Sequence, residues 1–173
     1  MRIVTTPMCE EIVKLAGFKK YKVNKNPDLE EGDLAILLSE SKVKMNSLAI
    51  KLNTPGQIFE SIHEVSKLAG NELNEGEILK FFKGYELSLK YLKNHDNPHV
   101  KVKVHSGFLA DIVRNIGFEI AGENYDYVIY PDYMKDNVKN ETVTLVEIPS
   151  HNFISKNPFE RIEKRYSILE KLI

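Results

Sequence analysis

The sequence predicts an α/β fold of two related Rossmann-like βα halves, with mainly parallel strands, helices on the faces and a long helix joining the halves. Three observations carry this. A strand-turn-helix unit occurs twice, a near-continuous apolar run follows each copy, and helix-start signals alternate with strand-like runs along all 173 residues. Strands alternating with helices imply a largely parallel sheet, or two small sheets, covered by helices.

The repeat aligns Ile3 to Phe18 with Lys103 to Phe118 without a gap. Val4/Val104, Ile12/Ile112, Val13/Val113, Gly17/Gly117 and Phe18/Phe118 coincide, while Thr6/Ser106, Glu11/Asp111 and Lys14/Arg114 are conservative pairs. Each copy reads as a β-branched strand, a hydroxyl cap, an amphipathic helix and a glycine stop. Thr6 is expected to cap its helix with Pro7 at the first helical position, and Gly17 to end it in the left-handed conformation. Ser106 and Gly117 repeat the cap and the stop.

The remaining elements follow in order. Asp33 to Ser39 (DLAILLS) suits a strand buried on both faces, and Tyr125 to Tyr130 (YDYVIY) holds the corresponding place in the second copy. Ser47 to Leu52 is a further strand. Thr54-Pro55-Gly56-Gln57 opens a helix that ends near Gly70, and Glu75 to Lys93 reads as one long helix. Thr142 to Ile148 is the last strand, and Asn157-Pro158-Phe159-Glu160 starts a helix that runs to the C-terminus. Loops are expected near Pro27, Pro98 and Asp136 to Asn140. The chain is thus read as a single compact domain, 1–173, with a first half over 1–70, a connecting helix over 71–99 and a second half over 100–173.

Composition excludes several classes of function. With 24 Lys plus Arg against 25 Asp plus Glu, no overall basic field argues for nucleic acid. The single cysteine, Cys9, cannot form an internal disulfide, and the longest apolar run, Leu34 to Leu38, is far too short to span a bilayer. Without a charged-then-apolar leader, the expectation is a soluble, cytoplasmic protein with no nucleic-acid or membrane partner. The sequence leaves room for a homodimer.

Parallel α/β folds bind ligands beyond the carboxyl ends of their strands. If the two halves face one another, the turns Thr5-Thr6-Pro7-Met8-Cys9 and His105-Ser106-Gly107-Phe108 border one cleft. Ser39, Asn53, Thr54, Pro131 and His151, at or just beyond other strand ends, complete the candidate substrate-binding set. Neither a Walker A sequence nor G-x-G-x-x-G is present. The helix starts at Thr6, Thr54 and Ser106 offer N–H groups to an anion, and Tyr125, Tyr127, Tyr130 and Tyr133 offer rings to a heteroaromatic ligand or to the sheet. His95-Asp96-Asn97-Pro98-His99 has metal-ligating residue types, but Pro98 makes it a loop with no third histidine or thiolate, so no metal site is expected. His63, beside the apolar face of its helix, reads as structural.

Two readings of Cys9 stand side by side. Counted from Thr6 as cap, it falls at the third helical position, where unpaired N–H groups and the helix dipole favour a thiolate. It also shares a face with Ile12, Val13 and Ala16, and the repeat puts Leu109 in its place, which suits a small core residue.

The N-terminal stretch Met1-Arg2-Ile3-Val4-Thr5-Thr6-Pro7-Met8-Cys9-Glu10-Glu11-Ile12-Val13 resembles the HcgF family, which takes part in building the iron-guanylylpyridinol cofactor of the mono-iron hydrogenase of methanogenic archaea. The resemblance implies that Cys9 is a nucleophile forming a thioester with the carboxyl group of guanylylpyridinol, after an HcgE-type adenylating enzyme has activated that carboxyl. It implies an acyl-transfer enzyme with no tightly bound cofactor. The plan of two βα halves joined by a long helix and closed by an N-P-F-E-R helix is similar to the small substrate-binding proteins of metal-chelate and cobalamin uptake.

Overall fold

The computed structural model describes residues 1–150 and 154–173. The first lobe contains β1 (Ile3–Thr5), α1 (Glu10–Leu15), β2 (Tyr21–Val23), β3 (Leu34–Leu38) and β4 (Ser47–Ile50), with the four strands parallel in the order β2-β1-β3-β4. The second lobe contains β5 (Lys101–Val104), α5 (Gly107–Ile116), β6 (Glu119–Ile120), β7 (Tyr127–Pro131) and β8 (Thr144–Ile148), parallel in the order β6-β5-β7-β8. The two orders are the same, as the sequence repeat requires. In each lobe the chain leaves the second strand of the sheet for one side and returns on the other, so strand order reverses beside β1 and β5.

The apolar runs do what their burial demands: all but the first residue of Leu34–Leu38 and of Tyr127–Pro131 are buried. The edge strands β2 and β6 are only three and two residues long and were not expected from the sequence. Three predicted caps form. Thr54 accepts from Gln57 N at 3.2 Å, Ser106 from Leu109 N at 3.3 Å, and Asn157 from Phe159 N at 2.9 Å. Gly17 and Gly117 stop their helices at φ +103° and +91°.

Two sequence expectations are corrected. The long helix over Glu75 to Lys93 is broken into α3 (Glu75–Phe81) and α4 (Glu86–Lys90), because Gly84 turns to φ +89° between them. With α2 (Pro55–Leu68), these helices lead from the first sheet to the second. The second correction concerns Thr6, which does not begin a helix. Residues Thr6 to Cys9 form a separate turn with Pro7 at its second position, closed by Cys9 N donating to Thr6 O at 3.0 Å, and α1 starts only at Glu10.

The helix α6 (Pro158–Glu170) follows the second sheet but returns to pack on the connecting helices. Glu163 accepts from Leu87 N at 3.3 Å and Ser88 N at 3.0 Å, and Phe159 meets Phe82 edge-on and stacks on Tyr85, each at 4.9 Å between ring centres. Tyr166 donates to Asn115 at 2.5 Å, and Tyr91 to Glu170 at 2.8 Å. Consequently Ile3, Ile36 and Ile58 belong to the same hydrophobic core as Leu109, Ile129 and Tyr166. Among the described residues no helix is long and apolar enough to cross a membrane.

Candidate functional site

The carboxyl ends of both sheets open onto one cleft of about 630 Å³. The first lobe contributes Ser39, Glu40, Lys51 and Asn53, which follow β3 and β4. The second contributes Ser106, Gly107, Phe108, Ala110, Asp111 and Arg114 from α5 and its cap, with Tyr133 from the segment after β7. Four sequence candidates, Ser39, Asn53, Ser106 and Gly107, thus meet in one place. Tyr133 stands at the cleft with 65% of its surface exposed.

The walls are tied together across the lobe boundary. Asp111 accepts from Gln57 Nε2 at 2.9 Å, Asn53 Nδ2 at 3.0 Å and Lys51 Nζ at 3.4 Å. Burial alone raises the Asp111 pKa, but the hydrogen bonds from Gln57 and Asn53, with the Lys51 charge, leave it below the ordinary carboxylate value.

Beneath this opening the cleft narrows to a space of about 10 Å³, scarcely one water, between Met8, Leu38, Glu40, Leu52 and Asn53 of the first lobe, Phe108 of the second, and Arg161 and Arg165 of α6. The two arginines are 2% and 4% exposed. Arg161 donates from Nη1 to Lys156 O at 2.7 Å and Ser155 O at 3.4 Å, and lies 3.7 Å from the Met8 sulfur. Arg165 donates from Nε to Pro149 O at 3.1 Å and rests over the Phe108 ring at 4.8 Å from its centre. Among the described residues no carboxylate pairs with either guanidinium, and His151, Asn152 and Phe153, outside the described residues, carry none. Desolvation lowers both pKa values to about 10, with the Arg161 charge adding to the effect at Arg165; Cys9 and Glu40 oppose it in part at Arg161, and Asp132 and Glu40 at Arg165. Both groups remain cationic at neutral pH.

Burying an ion without a counter-ion costs several kcal/mol, and here two like charges one helical turn apart share the cost. Sequence reasoning passed over them, although the spacing held the signal. Arg161 and Arg165 fall on the same face of α6 as the buried Pro158, Ile162, Tyr166 and Leu169.

The other candidates lie elsewhere. Thr5 is fully buried and donates to Ile36 O at 2.8 Å, tying β1 to β3. Thr54 caps α2 and lines a separate groove of about 400 Å³ against β4. Pro131 is buried at the end of β7. His105 donates its main-chain N–H to Ile129 O at 3.1 Å, and its buried Nε2 has no hydrogen-bond partner among the described residues. Thr6 and Pro7 form the turn above, and of that turn only Met8 borders the deep cleft. His151 lies outside the described residues.

Cys9 is fully buried in the core and occupies the cap position before α1, not its third residue. Desolvation pushes its thiol up to about 11, against weaker opposing effects of a hydrogen bond with the Thr6 side chain and the positive charge of Arg161. A helix of six residues that begins after the cysteine supplies little dipole stabilisation. The thiol is therefore held neutral at pH 7. His63 pairs with Glu72 at 3.2 Å, His95 contacts Lys90 O at 2.8 Å, and no group of three or more His, Cys, Asp or Glu side chains suited to a metal ion occurs among the described residues.

Comparison with solved structures finds the same fold. The fold is TroA-like and two-lobed. The laminin-binding protein Lmb of Streptococcus agalactiae, described as an adhesin with metal-transporting activity, matches with a TM-score of 0.56 at 12% identity over 99% of each chain. FpvC of P. aeruginosa, in complex with Ni2+, matches with a TM-score of 0.58 at 12% identity over 99% of this chain and 96% of its own. The vitamin B12 binding protein BtuF of Vibrio cholerae matches with a TM-score of 0.52 at 12% identity over 99% of this chain and 97% of its own. At such identities the TroA-like likeness concerns the fold alone. No family model and no curated protein sequence matches the chain.

Proposed function

We propose that this protein binds and carries a nucleotide-like small molecule in the cleft between its lobes. The observation that carries this reading is the 630 Å³ cleft itself, built from the carboxyl ends of both sheets and lined by hydroxyl, amide and charged groups with Tyr133 at its edge. Pockets of a few hundred Å³ suit a drug-sized or nucleotide-sized ligand. The exposed Tyr133 ring offers a stacking face for a heteroaromatic ring. The binding functions described for the TroA-like neighbours, metal transport, a Ni2+ complex and vitamin B12 binding, support a reading of solute capture.

A second reading, thioester formation, is favoured by the resemblance of the N-terminal stretch to the HcgF family and by the Arg161 charge acting on Cys9 beside the deep cleft. In that reading the Cys9 thiolate attacks the adenylylated carboxyl of guanylylpyridinol, the C–S bond forms, and AMP leaves with the C–O electron pair. The thiol proton passes to solvent. Burial must first be relieved, because a neutral, enclosed thiol is a poor nucleophile.

One experiment separates the two. The protein is incubated with guanylylpyridinol, ATP and an HcgE-type adenylating enzyme, then measured by native and by denaturing mass spectrometry, with GMP alone in parallel. Binding in the native spectrum, an unmodified denatured mass and equal binding by Cys9→Ala support the carrier. A covalent increase that hydroxylamine removes and Cys9→Ala lacks supports the thioester. Absence of any complex or adduct overturns both.

A further inference from the structure

We infer that the floor of the cleft is a built oxyanion seat, in which Arg161 and Arg165 together receive a phosphate or carboxylate group of the carried molecule. The inference rests on the reading of the cleft as a ligand site and specifies the ligand's chemical class.

Three observations converge on it. Both guanidinium groups are more than nine-tenths buried, face the deep end of the cleft and have no carboxylate partner among the described residues. An arginine carries five N–H donors. Protein atoms take Nη1 of Arg161 and Nε of Arg165, so among the described residues the two terminal nitrogens of Arg165 and Nη2 of Arg161 have no hydrogen-bond partner. Finally, the like charges repel one another, which an interposed anion converts into attraction. The nearest acids do not fill that role: Glu40 borders the same space but comes within 4 Å of neither guanidinium, and Asp132 is held by Ser150 through its backbone N–H and hydroxyl.

The elements that place the pair agree with this use. The Asn157 cap fixes the start of α6, and Phe108 supports the Arg165 plane, so the forks are oriented before a ligand arrives. The space between them is too small for a phosphate as it stands, so the anion enters as the walls of the cleft breathe while the shared core stays intact.

The test is an NMR titration of the full-length 15N-labelled protein with four probes: inorganic phosphate, benzoate, GMP and guanosine. The variants are Arg161→Met and Arg165→Met, each removing charge while keeping an apolar stem. The expected result is that phosphate, benzoate and GMP shift the amides of Ser39, Glu40, Ser106 and Gly107, with GMP tighter than guanosine by at least tenfold, and that either variant abolishes this preference. The stronger of phosphate and benzoate identifies the head group. The melting temperature of the unliganded variants should be unchanged or raised, because an unpaired buried charge has been removed; a purely structural arginine lowers it and leaves binding intact. If guanosine and GMP shift the cleft amides equally and the variants change nothing, the oxyanion seat is wrong while the carrier reading stands. If no probe shifts those amides, both fail.

Discussion

Asp111, in the second turn of α5, accepts a hydrogen bond at 3.0 Å from the side chain of Asn53, which follows β4 in the other lobe. Gln57 and Lys51 add to the same carboxylate, so one acid in the second lobe gathers three donors from the first. Bonds to an ionised acceptor are worth about 1.5–3 kcal/mol each when partly shielded. Removing the carboxylate also strands amide donors near the cleft.

Asp111→Ala is therefore expected to destabilise the protein by about 2 kcal/mol in urea unfolding. The pH dependence has a definite sign. A carboxylate with a folded pKa below its ordinary value contributes stability that is present above about pH 4 and lost as pH falls through the lowered value. Urea midpoints measured from pH 7 down to pH 3 should fall less steeply for Asp111→Asn than for the parent. Parallel curves would show that the three donors do not hold the acid ionised.

Cys9 gives a second test. Because its thiol is enclosed and raised to about 11, iodoacetamide should label the native protein at pH 7.5 at least 100-fold more slowly than the urea-unfolded chain, roughly the factor expected from two pK units of lost thiolate. The folded pKa is raised, so the contribution of the neutral thiol to stability is intact below pH 9 and disappears as pH rises toward 11. Equal labelling of native and unfolded protein contradicts this burial.

Gly117 and Gly84 share nearly the same backbone angle but not the same surroundings. At Gly117 a Cβ meets His95 O at 2.2 Å, whereas at Gly84 nothing lies within 4 Å. Gly84→Ala pays only for the left-handed conformation, about 1 kcal/mol. Gly117→Ala must also move the His95 backbone and should cost about 3 kcal/mol or more. Thermal unfolding of the two variants checks the order, and similar losses refute the close approach.

Asn157→Ala removes the cap of α6, whose side chain accepts from Phe159 N and Glu160 N at 2.9 and 3.3 Å. About 1 kcal/mol of stability is expected to go with it. Since α6 carries the buried arginines, binding of phosphate measured by calorimetry should weaken more than the stability loss alone explains. Unchanged phosphate affinity would separate the cap from the seat.

Much of this was legible in the residues. Ile3 to Phe18 against Lys103 to Phe118 disclosed two like lobes, and Thr54, Ser106 and Asn157 marked helix starts because their hydroxyl and amide oxygens satisfy N–H groups wherever the helix happens to lie. Ser39, Asn53, Ser106 and Gly107 reached the cleft because strand ends in parallel sheets share one side. What failed was decided by competition at short range: Pro7 serves a turn as readily as a first helical residue, and Gly84 interrupts a pattern whose apolar periodicity runs straight through it. The edge strands β2 and β6 have too few residues for a period to show. The burial of the α6 arginines could not be read locally, since Met8, Leu38, Leu52 and Phe108, which enclose them, are all distant in the chain.

The uninterrupted core that floors both lobes has a kinetic consequence. With Phe159, Tyr166 and the connecting helices locked together, the halves cannot swing on a slender stalk without tearing apolar contacts. On the proposed reading of the cleft as a ligand site, access to the arginines would come through small breathing motions of the walls, and a bound molecule is expected to exchange slowly even at modest affinity. Residence time, more than equilibrium occupancy, would then be the property this architecture sets.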